Sequence, residues 1–227
     1  MRIKLVVFDI AGTTVRDENK VAAAFQSALE EQGFQVPLEV ANRFMGYEKK
    51  HAIRDIINEV QPGTDITETL VDTIHQAFLR RMIAYYRTSS EIEPLPHVEE
   101  TLQALHQAGK QVAINTGFSR DIAEAIVERL QWREKGLIDF LIASDEVPNG
   151  RPHPDMIRQL MAAAGIDDPL LVAKVGDTEV DINEGRNAGC RYAIGITTGA
   201  YTREALQEHA PTHIIDDIRE VLDIVKD

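Results

Sequence analysis

The sequence is poor in cysteine, in long apolar stretches and in positive charge. Its 227 residues include one cysteine, Cys190, which excludes an internal disulfide and a metal site built from several thiolates. Cys190 begins an apolar run, so we predict that it is a small core residue. No apolar run reaches the length of a membrane span, and the N-terminus lacks the pattern of a signal peptide. These absences predict a cytoplasmic protein that does not act at a membrane.

The shortage of positive charge restricts the ligands that the protein can bind. The net charge is −13, whereas a nucleic-acid-binding surface requires a basic stripe or patch. We therefore expect no nucleic-acid partner. An acidic protein that binds a small phosphorylated molecule must gather positive charge locally, from lysine, arginine, backbone N–H groups or a metal ion.

Short apolar runs alternate with amphipathic stretches over most of the chain. This alternation predicts an α/β fold with a doubly wound, Rossmann-like parallel sheet. Residues 15–94 break the alternation, because they contain helical stretches and no convincing strand. We therefore predict a catalytic core formed by residues 1–14 and 95–227, and an α-helical cap domain inserted after the first strand. The predicted strands are 3–8, 111–115, 139–143, 170–175, 191–196 and 212–215. The predicted helices are 18–33, 38–45, 48–60 and 66–87 in the cap, and 97–108, 119–131, 154–164, 181–188, 202–209 and 217–225 in the core.

Polar groups follow four of the predicted strands. Asp9 follows the first strand, Thr116 the second, Arg151 lies in the loop after the third, and Asp177 follows the fourth. Ligands of open α/β sheets bind beyond the carboxyl ends of the strands. We therefore expect these four side chains to converge on one site.

The residue types in this predicted site suit phosphoryl chemistry. Asp9 and Asp177 offer carboxylate oxygens, which Mg²⁺ prefers, and Asp181 lies one helical turn after Asp177, where it can orient a metal-bound water or Arg151. Arg151 supplies a fixed cation for a phosphoryl group. A metal ion, an arginine and N–H donors together stabilise a phosphoryl group in transfer.

Backbone groups add further phosphate ligands. Thr116 and the N–H groups of Gly117 and Phe118 stand at the start of a predicted helix, where they can hold phosphate oxygens.

The first motif lacks a second carboxylate. Asp9 looks like a nucleophile, and a carboxylate two residues later would look like its general acid, but that position holds Ala11. Cleavage of a phosphate ester expels an alkoxide, which requires protonation by a nearby acid. Ala11 therefore disfavours ordinary ester cleavage and favours a reaction whose leaving group has another way to accept electrons.

These motifs resemble those of the haloacid dehalogenase superfamily. Asp9 matches its nucleophile motif, Thr116 its second motif, and the run from Gly176 to Asp181 its acidic last motif. The resemblance covers essentially the whole chain. It implies an aspartyl-phosphate intermediate and Mg²⁺, with the metal held by Asp9, Asp177 and the backbone carbonyl of Ala11.

Within that superfamily the chain is similar to the phosphonoacetaldehyde hydrolases, or phosphonatases. Ala11 in the first motif, Arg151 where the superfamily usually has lysine, and the cap motif from Met45 to Lys49 carry this similarity. The resemblance implies that Lys49 forms a Schiff base with a substrate aldehyde, and that an iminium there accepts the electrons of a broken C–P bond. It also implies a homodimer formed through the caps. The implied substrate-binding residues are Gly12, Thr13, Met45, Gly46, Thr116, Gly117, Phe118 and Arg151, and the catalytic ones are Asp9, Lys49, Thr116 and Arg151.

The residues around Lys49 support the same assignment independently. Ile53, Ile56 and Ile57 mark the apolar face of its helix, and Lys49 lies roughly on that face. A lysine along an apolar stripe is desolvated, which lowers its pKa and favours the nucleophilic amine. The alternative is a lysine at a helix start that extends into solvent.

The chain departs from the phosphonatase pattern at two positions. Ala52 stands where that family has a histidine, and Phe118 stands where it has a tyrosine. These departures suggest a substrate related to phosphonoacetaldehyde but different from it, or another phosphorylated compound. From all the motifs together we expect a hydrolase that cleaves the C–P bond of phosphonoacetaldehyde or a close analogue. A phosphomonoesterase for a small metabolite, resembling a phosphoglycolate phosphatase, is the first alternative. A non-catalytic protein that binds a phosphate ligand is the second.

Overall fold

The fold is built on one parallel sheet of six strands. The structure is a computed structural model, and it describes residues 2–226. The strands are β1 (Leu5–Phe8), β2 (Gln111–Thr116), β3 (Phe140–Ala143), β4 (Val172–Gly176), β5 (Tyr192–Ile196) and β6 (His213–Ile215). Their order across the sheet is β3-β2-β1-β4-β5-β6. The chain thus builds outward from β1 on one side and then on the other, which confirms the predicted doubly wound, Rossmann-like sheet.

Helices cover both faces of the sheet, which explains why its strands read as continuous apolar runs. Side chains of β1 alternate between the two faces: Val6 and Phe8 join one apolar cluster, and Leu5 and Val7 join another. Cys190 is half-buried and packs against the second cluster. The helices of the core are α5 (Val98–Gln107), α6 (Arg120–Leu130), α7 (Asp155–Ala163), α8 (Glu179–Ala188), α9 (Arg203–Gln207) and α10 (Glu220–Ile224).

Four helices lie between β1 and α5, where the sequence predicts them. They are α1 (Lys20–Glu30), α2 (Leu38–Arg43), α3 (Lys49–Val60) and α4 (Glu68–Thr88), and we call them the insert. The apolar faces of α1 and α4 meet at Phe25 and Phe78, whose rings contact edge to face at 5.3 Å between centroids. The independence of the insert as a domain stays a prediction.

The two connections to the insert run side by side. The N–H of Leu95 donates to the carbonyl of Thr14 at 3.0 Å, and the N–H of Arg16 donates to the carbonyl of Glu93 at 3.2 Å. The predicted boundaries at residues 14 and 95 are therefore neighbours in space. In the part of the chain that the structure describes, no helix is both long enough and apolar enough to cross a membrane.

Candidate active site

Of the four polar groups predicted at the strand ends, Asp9, Thr116 and Asp177 line a cavity between the sheet and the insert, and Arg151 lies behind Asp9 outside that lining. This cavity has a volume of about 150 Å³. It contains most of the predicted site residues, with Asp9, Ala11, Gly12, Thr116, Gly117, Phe118 and Asp177 from the core and Met45, Gly46 and Lys49 from the insert. The sheet and the insert therefore contribute to one site.

Asp9, the predicted nucleophile, is held at the carboxyl end of β1. Its N–H donates to the carbonyl of Val175 on the neighbouring strand at 3.0 Å. Its carboxylate lies 2.7 Å from Nη1 of Arg151. Burial raises the pKa of Asp9, and the positive charge of Arg151 opposes that effect. Arg151 thus favours the ionised carboxylate that nucleophilic attack requires.

Arg151 lies behind Asp9 and is fixed on several sides. Its Nη2 donates to the backbone carbonyl of Asn115 at 2.6 Å and to the Asn115 side-chain oxygen at 2.9 Å. Its Nη1 also lies 3.0 Å from Asp181. Burial works to lower the pKa of Arg151, but the charges of Asp181, Asp9 and Glu184 outweigh it and raise the pKa. The guanidinium is therefore a permanent cation beside the predicted nucleophile.

The backbone at Gly12 lies so close to Asp177 that it leaves no room for a side chain at that position. A Cβ atom on Gly12, whose φ is +81°, would lie 2.5 Å from Asp177 Oδ2. The Thr13 hydroxyl donates to Asp177 Oδ1 at 3.1 Å, and the Ala200 N–H donates to Oδ2 at 2.7 Å. Thr13 therefore contacts Asp177, and its contact with substrate phosphate stays a prediction.

The carboxylates suit a divalent cation. Oxygens of Asp9, Asp177 and Asp181 lie within 4.8 Å of one another. Burial, Asp9 and Asp181 raise the pKa of Asp177 well above its ordinary value, so the cluster favours any added positive charge. Asp181 itself is occupied, because its Oδ2 accepts from the Thr178 hydroxyl at 2.6 Å while Oδ1 faces Arg151. Of these three carboxylates, Asp9 and Asp177 line the cavity and Asp181 does not, so Asp9 and Asp177 are the ones placed to bind a metal ion there.

Three residues complete a buried network that the sequence analysis did not identify. Lys174 is fully buried, and its Nζ lies 2.8 Å from Asp181 and donates to the side-chain oxygen of Asn115 at 2.8 Å. The Asn115 amide donates to Glu184 at 2.8 and 2.9 Å. A lone lysine within the apolar strand β4, with Asp181 and Glu184 three residues apart on one helix, is the pattern that could have predicted this network.

This network leaves the site acidic. Asp9, Asp177, Asp181 and Glu184 are buried there with two buried cations, Arg151 and Lys174. If all six groups are ionised, four negative and two positive charges leave a net charge of −2 among these described residues. A divalent cation would balance that charge.

Lys49 is buried rather than extended into solvent. Its side chain is 3% exposed, so the solvent-facing alternative is wrong for this structure. The Nζ atom lies 5.9 Å from the ring centre of Phe25 and 5.7 Å from that of Phe118, and it donates to the carbonyl of Tyr47 at 3.1 Å. Burial lowers the pKa of Lys49 to about 8. About a tenth of Lys49 is therefore the neutral, nucleophilic amine at pH 7, far more than for a lysine with the ordinary pKa.

Glycines let the loop before Lys49 contact the core. A Cβ on Gly46 would lie 2.7 Å from the Thr178 hydroxyl, and a Cβ on Gly117 would lie 2.4 Å from the carbonyl oxygen of Gly46. The Tyr47 hydroxyl donates to Glu179 at the start of α8. These contacts show that the insert is closed over the sheet in this structure.

We predict that Gly117→Ala hinders this closure. The new methyl group would collide with the Gly46 carbonyl, and overpacking of this kind typically costs about 1–3 kcal/mol. Turnover should fall about 10- to 100-fold, since each 1.36 kcal/mol corresponds to a factor of ten. Steady-state phosphate release measures the loss, and thermal unfolding checks that the core remains folded. Wild-type turnover in a folded Gly117→Ala protein would show that closure over Gly117 is dispensable.

Comparison with known proteins identifies the family to which this chain belongs. Residues 6–195 match the family model described as haloacid dehalogenase-like hydrolase. The phosphonoacetaldehyde hydrolase of Bacillus cereus (strain B4264) is 29% identical over 238 residues, which cover 100% of this chain and 88% of that protein. The phosphonoacetaldehyde hydrolase of Bordetella pertussis (strain Tohama I) is 32% identical over 206 residues, with 86% of this chain and 73% of that protein covered.

A solved structure shares the fold at lower identity. The crystal structure of a predicted phosphoglycolate phosphatase from Haemophilus somnus 129pt superposes with a TM-score of 0.80 at 23% identity. The match covers 100% of this chain and 99% of that one. This likeness supports the architecture of sheet and inserted helices.

Proposed function

This chain belongs to the haloacid dehalogenase-like hydrolases and to their phosphonatase-like members, and on that premise we propose that it hydrolyses a C–P bond. The proposed substrate is phosphonoacetaldehyde or a close analogue. One observation carries the proposal: the cavity that contains Asp9 also contains a buried lysine whose pKa is about 8, while Ala11 stands where an acid would serve an ester.

Lys49 prepares the bond for cleavage. Its neutral amine adds to the substrate aldehyde and, with loss of water, forms an iminium. When the C–P bond breaks, its electron pair moves into the adjacent C–C bond and the iminium nitrogen becomes a neutral enamine nitrogen. The leaving group is thus stabilised without an acid at the position of Ala11.

Asp9 accepts the phosphoryl group. A carboxylate oxygen of Asp9 attacks phosphorus as the bond to carbon breaks, which gives an aspartyl phosphate. Water then hydrolyses this acyl phosphate and releases inorganic phosphate. The enamine carbon takes a proton from solvent, and hydrolysis of the resulting iminium restores Lys49 and releases the aldehyde product. Arg151, 2.7 Å from Asp9, holds the attacking carboxylate in place and provides positive charge for the phosphoryl oxygens.

Mg²⁺ is the proposed cofactor. Asp9, Asp177 and the Ala11 carbonyl would hold it, and Asp181 would orient Arg151 behind them. Mg²⁺ suits such a site because it accepts few carboxylates and keeps several waters. When bound, it would neutralise charge on the phosphoryl group in transfer.

We predict that borohydride traps a covalent adduct on Lys49. Reduction of the enzyme with phosphonoacetaldehyde should convert the iminium into a stable secondary amine, and peptide mass spectrometry should locate it. Lys50 is the matched control, because it is next in the chain yet pairs with Asp72 at the surface at 2.7 Å. An adduct on Lys49 and none on Lys50 supports the mechanism. Normal turnover without an adduct on Lys49 would contradict it.

A phosphomonoesterase is the second candidate function. Ala52 and Phe118 favour it, because both apolar side chains occupy positions where the phosphonatases resembled by this chain have polar groups. A screen of phosphate release from phosphonates and phosphate esters distinguishes the two. The phosphomonoesterase would be favoured if the enzyme hydrolyses a phosphate ester with a kcat/KM equal to that for phosphonoacetaldehyde, and if a variant without Lys49 keeps this ester hydrolysis.

A further inference from the structure

The iminium chemistry proposed above requires a proton donor that neither Ala52 nor Phe118 can supply. Ala52 is fully buried on α3, and Phe118 places its ring 5.7 Å from Lys49. Loss of water from the first adduct of an amine and an aldehyde needs an acid, and hydrolysis of the iminium needs a base. The group that serves Lys49 must therefore come from elsewhere in the cavity.

We propose that Asp17 is this acid and base. The inference rests on the proposed Lys49 chemistry. Four ionisable side chains are among the described residues that line the cavity: Asp9, Asp17, Lys49 and Asp177. Asp9 and Asp177 belong to the phosphoryl and metal side of the site. Asp17 is the remaining carboxyl group, and it lies on the segment that leads from β1 into the insert.

The surroundings of Asp17 suit proton transfer. One carboxylate oxygen accepts from the N–H of Val21 at 3.1 Å, which fixes the side chain at the start of α1. Burial raises the pKa of Asp17, so a larger fraction carries a proton near neutral pH than in an exposed aspartate. Asp17 and Lys49 line the same cavity, so both groups can reach one substrate bound there.

Other groups near Asp17 are less suited to the role. The charged and titratable groups that face it are Lys20 on α1, Lys49 on α3, and Tyr85 and Tyr86 on α4. Lys20 pairs with Glu91 at 3.1 Å. Burial raises the pKa values of both tyrosines, so they remain protonated and uncharged.

The proposed step conserves protons and electrons. The Lys49 amine adds to the aldehyde carbon, and transfer of its proton to oxygen gives a carbinolamine. Asp17 gives its proton to the hydroxyl group, the C–O bond breaks and water leaves. The nitrogen lone pair forms the C=N bond, which leaves an iminium and an Asp17 carboxylate. During hydrolysis the carboxylate takes a proton from the attacking water, which returns Asp17 to its starting state.

Asp17→Asn tests the proposal cleanly. Asparagine keeps an oxygen that can accept from the Val21 N–H but cannot give up a proton. The value of kcat/KM for phosphonoacetaldehyde should fall about 100-fold, the lower range for general acid–base catalysis. Phosphate release from acetyl phosphate should be unchanged, because this donor needs no iminium and its acetate leaving group needs no acid.

The pH profile separates catalysis from a structural or electrostatic effect. With a protonated Asp17 and a neutral Lys49 both required, wild-type kcat/KM should be level between the pKa of Asp17 and the Lys49 pKa of about 8, and it should fall on either side of that range. Asp17→Asn should instead rise up to that pKa and then stay level. Loss of the Asp17 charge alone lowers the Lys49 pKa, which would increase the rate near neutral pH.

Glu48→Gln is the matched control for charge. Glu48 is the largest electrostatic contributor that raises the Lys49 pKa, and its carboxylate caps α3 through the N–H groups of Lys50 and His51. This variant should show no loss of kcat/KM near neutral pH and should keep the alkaline fall, which moves to lower pH because the Lys49 pKa is lower without the Glu48 charge. Wild-type kcat/KM and pH profile in Asp17→Asn would overturn the role of Asp17. A wild-type enzyme with neither turnover of phosphonoacetaldehyde nor an adduct on Lys49 would instead overturn the proposed function.

Discussion

Asp9→Asn should reduce phosphate release from both phosphonoacetaldehyde and acetyl phosphate by at least about 1,000-fold, as expected when a nucleophile is removed. The amide cannot form the acyl phosphate that both reactions share. Asparagine has nearly the same shape as aspartate, so the cavity should keep its size. Release of inorganic phosphate measures the loss with each donor.

The same variant should still form an iminium at Lys49. Asp9 takes no part in that step, so borohydride should trap the adduct, and it should accumulate because the C–P bond cannot break. Folding should survive, since Arg151 keeps Asp181, Glu184 and Asn115 as partners and the neutral amide removes repulsion from Asp177. Phosphate release by Asp9→Asn at a rate near that of the wild type would exclude Asp9 as the nucleophile.

Lys49→Met should abolish turnover of phosphonoacetaldehyde, again by about 1,000-fold or more, and leave hydrolysis of acetyl phosphate within a few-fold of wild type. Methionine fills similar space between Phe25 and Phe118 and packs favourably against aromatic rings. It supplies no amine, so only the reaction that needs an iminium is lost. Lys50→Met, at the half-buried neighbouring position, should leave both activities unchanged.

Lys49→Met should also stabilise the fold. Burial lowers the pKa of Lys49 from 10.5 to about 8, so the folded state loses this proton at lower pH than the unfolded state. Between those two values the unfolded state binds more protons, and the stability of the wild type should rise with pH through this window. Below pH 8 the charged amine is destabilising, and its removal should increase the free energy of unfolding by about 1–3 kcal/mol. Urea unfolding at pH 7 and pH 10 measures both effects, and a less stable Lys49→Met protein would show that the buried amine favours folding.

The strands and helices could be predicted because each depends on the pattern of apolar and polar residues within its own short segment. Apolar runs bounded by polar loops marked all six strands, and the structure begins and ends them within a few residues of the predicted limits. Parallel strands buried on both faces have a strong local signal. Asp9, Thr116 and Asp177 could be placed together for the same reason, since groups at the carboxyl ends of parallel strands meet at one edge of the sheet.

Residues whose roles depend on neighbours distant in the chain were harder to predict. In the sequence, Lys174 is only a polar residue within an apolar strand. The fold places Asp181 and Glu184 of α8 beside its amine. In the sequence, Asp17 is only a polar residue just before a predicted helix. The fold places it in the same cavity as Lys49 of α3. The only mark of Lys174 in the sequence is that it is a lone lysine in an apolar strand, and Asp17 belongs to no pattern of short spacing.

The sequence by itself determined the doubly wound sheet, the inserted helices and the replacement of a second acid by Ala11, because these follow from periodicity and residue type. Only the tertiary structure decided that Lys49 is buried. Helical periodicity places a lysine on a face, but whether its amine reaches solvent depends on Phe25 from α1 and Phe118 from the core. Desolvation, and with it the pKa of about 8, is a property of surroundings assembled from three parts of the chain.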